Sequence, residues 1–194
     1  MEGEAKSRMK KLLTVLLMTT AALAEETVTA LEAGHFDILF SNGYRGYCID
    51  YGKHEAEKNE VFRMTDTSKA INNNTREDIS QHLKILFTQE FDELFGADGD
   101  TYVTKDRIVS QYYVWHYSDD LNNWRIDGNV IEEVKALVDS DMTIPDHGYT
   151  IVRDGKRITF NFAVLEHMKE PREKHQDFFV YKITVHEHVW AAAR

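Results

Sequence analysis

Ser110-Gln111-Tyr112-Tyr113-Val114-Trp115-His116-Tyr117-Ser118-Asp119 is the stretch on which the fold turns. It sets a glutamine ahead of a dense aromatic run and closes on a polar turn. Its spacing predicts a helix opened by Thr104, with Ile108, Val109, Tyr112 and Trp115 facing inward and Tyr113 beside them. Apolar stripes of this kind are ordinarily helix core, so the stretch alone does not define a site.

The period holds on both sides of it. Upstream, Asn74 or Thr75 can cap a helix whose apolar residues Ile79, Leu83, Leu86, Phe87, Phe91 and Leu94 recur at three and four, with Gly96 and Gly99 ending it. Downstream, Gly128 to Ser140 reads as a third helix. Farther out the period falls to two. His35 to Phe40 and Tyr44 to Tyr51 read as strands around the turn Ser41-Asn42-Gly43, and a short strand is expected near Val61 to Met64. Tyr149 to Arg153, Arg157 to Val164 and Phe178 to Val185 alternate, with Asp154-Gly155 as a hairpin turn. Strands, a helical block of about residues 75–140, then strands again predict an α+β fold. Its core would be a sandwich-like or barrel-like β-sheet carrying an inserted helical subdomain.

The first 24 residues stand apart. Lys6, Arg8, Lys10 and Lys11 precede the apolar run Leu12 to Met18 and the small residues Ala21, Ala22, Leu23, Ala24, the pattern of a secretory signal peptide. Residues 25–194 would then be a single exported domain, and cleavage would take the net charge from −10 to −12. That acidic balance, with no basic stripe, argues against nucleic acid as a partner. After cleavage no membrane association is expected, and the domain should be a monomer.

Export makes the single cysteine, Cys48, informative. An exported chain with one thiol has three options: an intermolecular disulfide, a buried inert thiol, or consumption by other chemistry. Metal binding finds little support. His186 and His188 share a strand face but no third ligand joins them, and Asp98-Gly99-Asp100 is half a calcium loop. No metal and no cofactor are expected.

Tyr47-Cys48-Ile49-Asp50 followed by Ser110-Gln111-Tyr112-Tyr113-Val114-Trp115 resembles the thioester domains at the tips of Gram-positive pili and surface adhesins. That family pairs an aromatic-Cys strand motif with a later Thr-Gln-x-x-Val-Trp helix motif, and often carries a helix resembling Leu83-Lys84-Ile85-Leu86 between them. Here Ser110 stands in place of Thr, and Tyr113 in place of a residue that is commonly small. Of the four glutamines only Gln111 has this context; Thr88-Gln89 lacks the Val-Trp. The resemblance implies a bond from the Cys48 sulfur to the side-chain carbonyl carbon of Gln111, formed with loss of ammonia. Tyr47, Tyr112 and Trp115 would shield it, and His116 would assist proton transfer. It also implies a non-enzymatic, single-turnover adhesin that captures a lysine amine of a host surface or extracellular-matrix protein. The protein would be secreted, at the cell surface or wall in its full-length context. Two alternatives stay open: a cysteine hydrolase or acyltransferase using Cys48 with a histidine base, and a non-covalent binding domain of the same fold.

Overall fold

A computed structural model describes residues 26–98 and 101–186, without the side chains of Asp98 and Thr101. The expected signal peptide and His188 lie outside the described residues. Nine strands and four α-helices follow in order: β1 (Thr27–Thr29), β2 (Ile38–Leu39), β3 (Arg45–Cys48), β4 (Val61–Thr65), α1 (Ser80–Gln89), α2 (Phe91–Leu94), β5 (Phe95–Asp98), β6 (Thr101–Thr104), α3 (Arg107–Asp119), α4 (Gly128–Asp139), β7 (Tyr149–Arg153), β8 (Lys156–His167) and β9 (Phe178–His186). Seven strands form one curled antiparallel sheet in the order β1-β4-β8-β9-β3-β2, with β7 paired to the first half of β8. The helices and a separate β5–β6 hairpin are inserted between β4 and β7. This is the α+β class read from the sequence, with the sheet as its core.

Strand alternation sorts the core into two layers. Along β9, Phe179 and Tyr181 join β3 residue Tyr47, β8 residues Phe160 and Phe162, and the helix residues Leu83, Leu86 and Phe87 in one cluster. The neighbours Phe178 and Val180 face the other way, with Phe40, Phe62, Leu165 and Cys48. At Gly46 of β3 the sheet leaves no room for a side chain. A Cβ there would lie 2.5 Å from Val180 Cγ1 and 3.0 Å from the Phe179 carbonyl, so glycine is required by close approach of β9.

Several boundaries differ from the sequence reading, each for a local reason. Helix α3 opens at Arg107, because the Asp106 carboxylate accepts from the N–H groups of Ile108 and Val109 and so caps it there instead of Thr104. Ile108 then falls on the outer face, 41% exposed, where an inward position was expected. The first helix starts at Ser80, with the Asp78 side chain accepting from the Ser80 N–H. Asn74 and Thr75 do not cap it. Gly96 sits within the β5–β6 hairpin, which the sequence reading did not foresee.

Candidate active site

Strand β2 pairs only with Arg45 and Gly46, so no strand residue lies opposite Cys48 on the outer edge of β3. The side chain of Gln111, from α3, takes that place. Its Oε1 accepts from the Cys48 N–H at 3.1 Å and its Nε2 donates to the Cys48 carbonyl at 2.6 Å. The same Cys48 N–H also faces the His35 carbonyl at 3.2 Å. Both Cys48 and Gln111 are fully buried. Two antiparallel hydrogen bonds fix the carboxamide plane against the backbone of the residue that carries the thiol.

Cys48 is a free thiol whose sulfur accepts from the Asp50 N–H at 3.2 Å and lies 3.2 Å from the Asp50 carbonyl. Burial pushes the thiol well above its ordinary range, and the nearby Asp50 and Asp119 add to this. The Asp50 backbone and the Trp115 indole act in the opposite sense.

The aromatic residues divide by position. Trp115, one helical turn after Gln111, is buried and ringed by His35 (centroids 5.5 Å apart), Phe36 (5.9 Å), Tyr51 (4.9 Å) and Tyr112 (6.1 Å). Tyr51, 55% exposed, forms the outer rim. Tyr47 belongs to the opposite layer from Cys48; its hydroxyl is 2.5 Å from Thr104 Oγ1 and its ring stacks on Phe87. It positions β3 against the helices instead of covering the sulfur. His116 points away from the thiol: its Nδ1 lies 3.3 Å from the Leu121 carbonyl, and it lines a separate cavity of about 340 Å³ with Trp124 and Ile131.

Three groups that the sequence reading did not single out hold the site together. Asp37, fully buried, accepts from Arg45 Nε (3.0 Å), the Tyr181 hydroxyl (2.7 Å) and the Thr104 hydroxyl (3.1 Å), and lies 3.6 Å from Arg107. It thereby links β3, β9 and the start of α3. Asn72, Asn73 and Asn74 clamp the other end of that helix. Asn72 Nδ2 donates to the Tyr117 carbonyl, and Asn73 Nδ2 spans Ile49 O and Asp119 Oδ1, both at 2.8 Å. Asn74 Nδ2 reaches Asp120. The bond to Tyr117, with those from the Asn73 N–H to the Ser118 carbonyl and from Asn74 Nδ2 to the Asp119 carbonyl, satisfies helix-end carbonyls that have no partner within the helix. His35 is the third: its backbone meets Cys48, its ring meets Trp115, and its Nδ1 lies 2.9 Å from Glu55. Burial holds its pKa below the ordinary value, against the opposing pull of Glu55.

Elsewhere, Glu60, His167 and His175 bring ligand-type atoms within 4.8 Å of one another. The Lys169 N–H donates to His167 Nδ1 at 2.9 Å, which leaves the proton on Nε2, 3.1 Å from Glu60 Oε2. A protonated Nε2 has no lone pair for a metal, and the cluster reads as a tie between β4 and the β8–β9 loop. Among the described residues no helix is long and apolar enough to cross a membrane.

A family model described as a thioester domain matches residues 45–143, a span holding both Cys48 and Gln111. No curated protein and no solved structure matches the chain.

Proposed function

Since the chain belongs to the thioester-domain family, we propose that Cys48 and Gln111 close an internal thioester and that the domain is an exported adhesin head which spends it on a host amine. The observation that carries this reading is the paired hydrogen bond between the Cys48 backbone and the Gln111 carboxamide in a fully buried setting.

In forming the link, the sulfur attacks Gln111 Cδ, the Cδ–Nε2 bond breaks, and ammonia leaves carrying the thiol proton. Negative charge develops on Oε1 as the tetrahedral centre forms, and the Cys48 N–H already points at that atom, the arrangement of an oxyanion-stabilising donor. Opening reverses the roles. An amine bonds to Cδ, loses a proton, and the Cδ–Sγ electron pair departs on sulfur. A lysine of a host surface or matrix protein thereby becomes amide-linked to Gln111, in a single turnover. Full burial of both partners shields the acyl carbon from water. A docked partner supplies what a free amine lacks, high local concentration and orientation.

The hydrolase alternative fits less well. Burial disfavours the thiolate such an enzyme needs, and among the described residues no histidine hydrogen-bonds to the Cys48 sulfur, which meets the Asp50 backbone.

Intact-mass measurement tests the reading. Purified protein should weigh one ammonia less than its processed sequence, whereas Cys48→Ala and Gln111→Ala should each show full mass. Methylamine should add its own mass at Gln111 and free the Cys48 thiol. Full mass and a free thiol in freshly made, never-exposed protein would defeat the proposal.

A further inference from the structure

The indole Nε1 of Trp115 is buried and makes no hydrogen bond among the described residues, on a side chain only 6% exposed. A buried donor left unpaired is destabilising, and one kept at a reactive centre calls for an explanation, of which a catalytic role is one. Four aromatic rings, from His35, Phe36, Tyr51 and Tyr112, hold this indole in one place. Helical register sets it beside the reaction, because Gln111 and Trp115 are four residues apart and share one side of α3. The neighbouring sulfur needs such a group. Among the described residues its one backbone donor is the Asp50 N–H at 3.2 Å, while burial and the Asp50 and Asp119 carboxylates all oppose negative charge on it. The indole acts on the sulfur in the favourable sense, although the two do not meet hydrogen-bond geometry in the unlinked chain.

We propose that the Trp115 indole N–H is the donor that receives the developing charge on the Cys48 sulfur when the thioester opens. The inference rests on the thioester reading above and gives its motif tryptophan a chemical task beyond packing. During aminolysis the amine nitrogen bonds to Gln111 Cδ and gives its proton to solvent. The Cδ–Sγ bond breaks, and the electron pair leaves on sulfur. There the indole N–H and the Asp50 N–H stabilise the thiolate until it takes up a proton. When the link first forms, the same pair favours loss of the thiol proton.

Two measurements on the purified protein test this. Trp115→Phe keeps an aromatic ring in the cage and removes the donor, so its thioester should open with methylamine at least about tenfold more slowly, as loss of one donor to a developing anion implies. In wild type, the Trp115 indole proton resonance should move downfield when methylamine frees Cys48, and should titrate with the thiol; a packing residue would show no such titration. Benzothienylalanine at position 115, which keeps the bicyclic shape and puts sulfur in place of the N–H, replaces the phenylalanine variant if that one misfolds or never closes the link. Opening at the wild-type rate in whichever variant carries the thioester overturns the proposal, as does an indole resonance indifferent to the state of Cys48. If wild type proves to have full mass, the thioester reading fails by itself. The indole titration against the free thiol then decides the donor role alone, a downfield shift supporting it and a static resonance ending it.

Discussion

Opening the thioester with methylamine should destabilise the domain by about 3 kcal/mol without altering any other residue. Cys48 and Gln111 are 63 residues apart in sequence, and a covalent link across that span removes chain entropy from the unfolded state. The loop-closure relation puts this near 4 kcal/mol at 25 °C. Opening leaves a secondary amide at Gln111 whose N–H again takes a hydrogen-bond acceptor, as the primary amide of the unlinked chain takes the Cys48 carbonyl at 2.6 Å. A bond of that kind returns about 1 kcal/mol. For a domain of this size the net change corresponds to a fall in Tm of about 6–12 °C. Calorimetry before and after methylamine treatment, with the amine dialysed away, gives the number directly; Cys48→Ala serves as the control that should not respond. A protein that gains the amine's mass and a free thiol yet melts within about 2 °C of its starting value would refute the reasoning, since the link would then not be constraining the unfolded chain.

Other outcomes follow from the same geometry. Asp37→Ala should cost about 3–5 kcal/mol in urea unfolding, because it strips a buried acceptor from Arg45, Tyr181 and Thr104 at once; a loss under about 1 kcal/mol would show the network to be incidental. Acid should weaken the fold through Glu166. Burial alone would raise its pKa, but hydrogen bonds and charge from Arg172 and Arg63 hold it below the ordinary 4.5. The stability it adds is therefore present above pH 4.5 and lost as pH falls through the lower folded value, and Glu166→Gln should flatten that part of the pH-stability curve. Reaction with free lysine or methylamine should accelerate as pH rises toward the amine's own pKa, about 10.4 for lysine; a flat profile over pH 7 to 9 would mean that amine deprotonation does not limit the rate.

Much of the architecture is legible in the sequence because burial imposes periods that composition records. The alternation of Phe178 to Val185 corresponds to β9, and the three-and-four spacing from Ile79 to Leu94, read as one helix, runs through two, α1 and α2, which part at Glu90. Hidden features depend on groups that carry no pattern. The Cys48 N–H and carbonyl are backbone atoms, and nothing in a sequence announces that a distant carboxamide will take the place of a strand there. The Asn72-Asn73-Asn74 run looks like a turn or helix cap, but it clamps the end of α3, a tertiary contact decided 45 residues later. The β5–β6 hairpin escaped notice because Phe95-Gly96-Ala97-Asp98 has little of the β-branched character of a strand. One signal could have been used. Adjacent residues on a strand face opposite ways, so Tyr47 and Cys48 in β3 could not both line the same pocket.

The placement of Gln111 relative to β9 has a mechanical consequence. A partner bonded to Gln111 would apply any load at the first turns of α3, and a resisting pull on β9 at His186 would act eight residues along the strand from Phe178, the partner of Cys48. Strand β9 is paired along nine residues to β8 and along four to β3. Tension drawn along that strand acts parallel to both neighbours, so its backbone bonds must rupture together in shear and cannot unzip one at a time. The Asp37 junction would carry such a force between helix and sheet, through buried contacts to Arg45 of β3 and Tyr181 of β9 and the half-exposed Arg107 of α3.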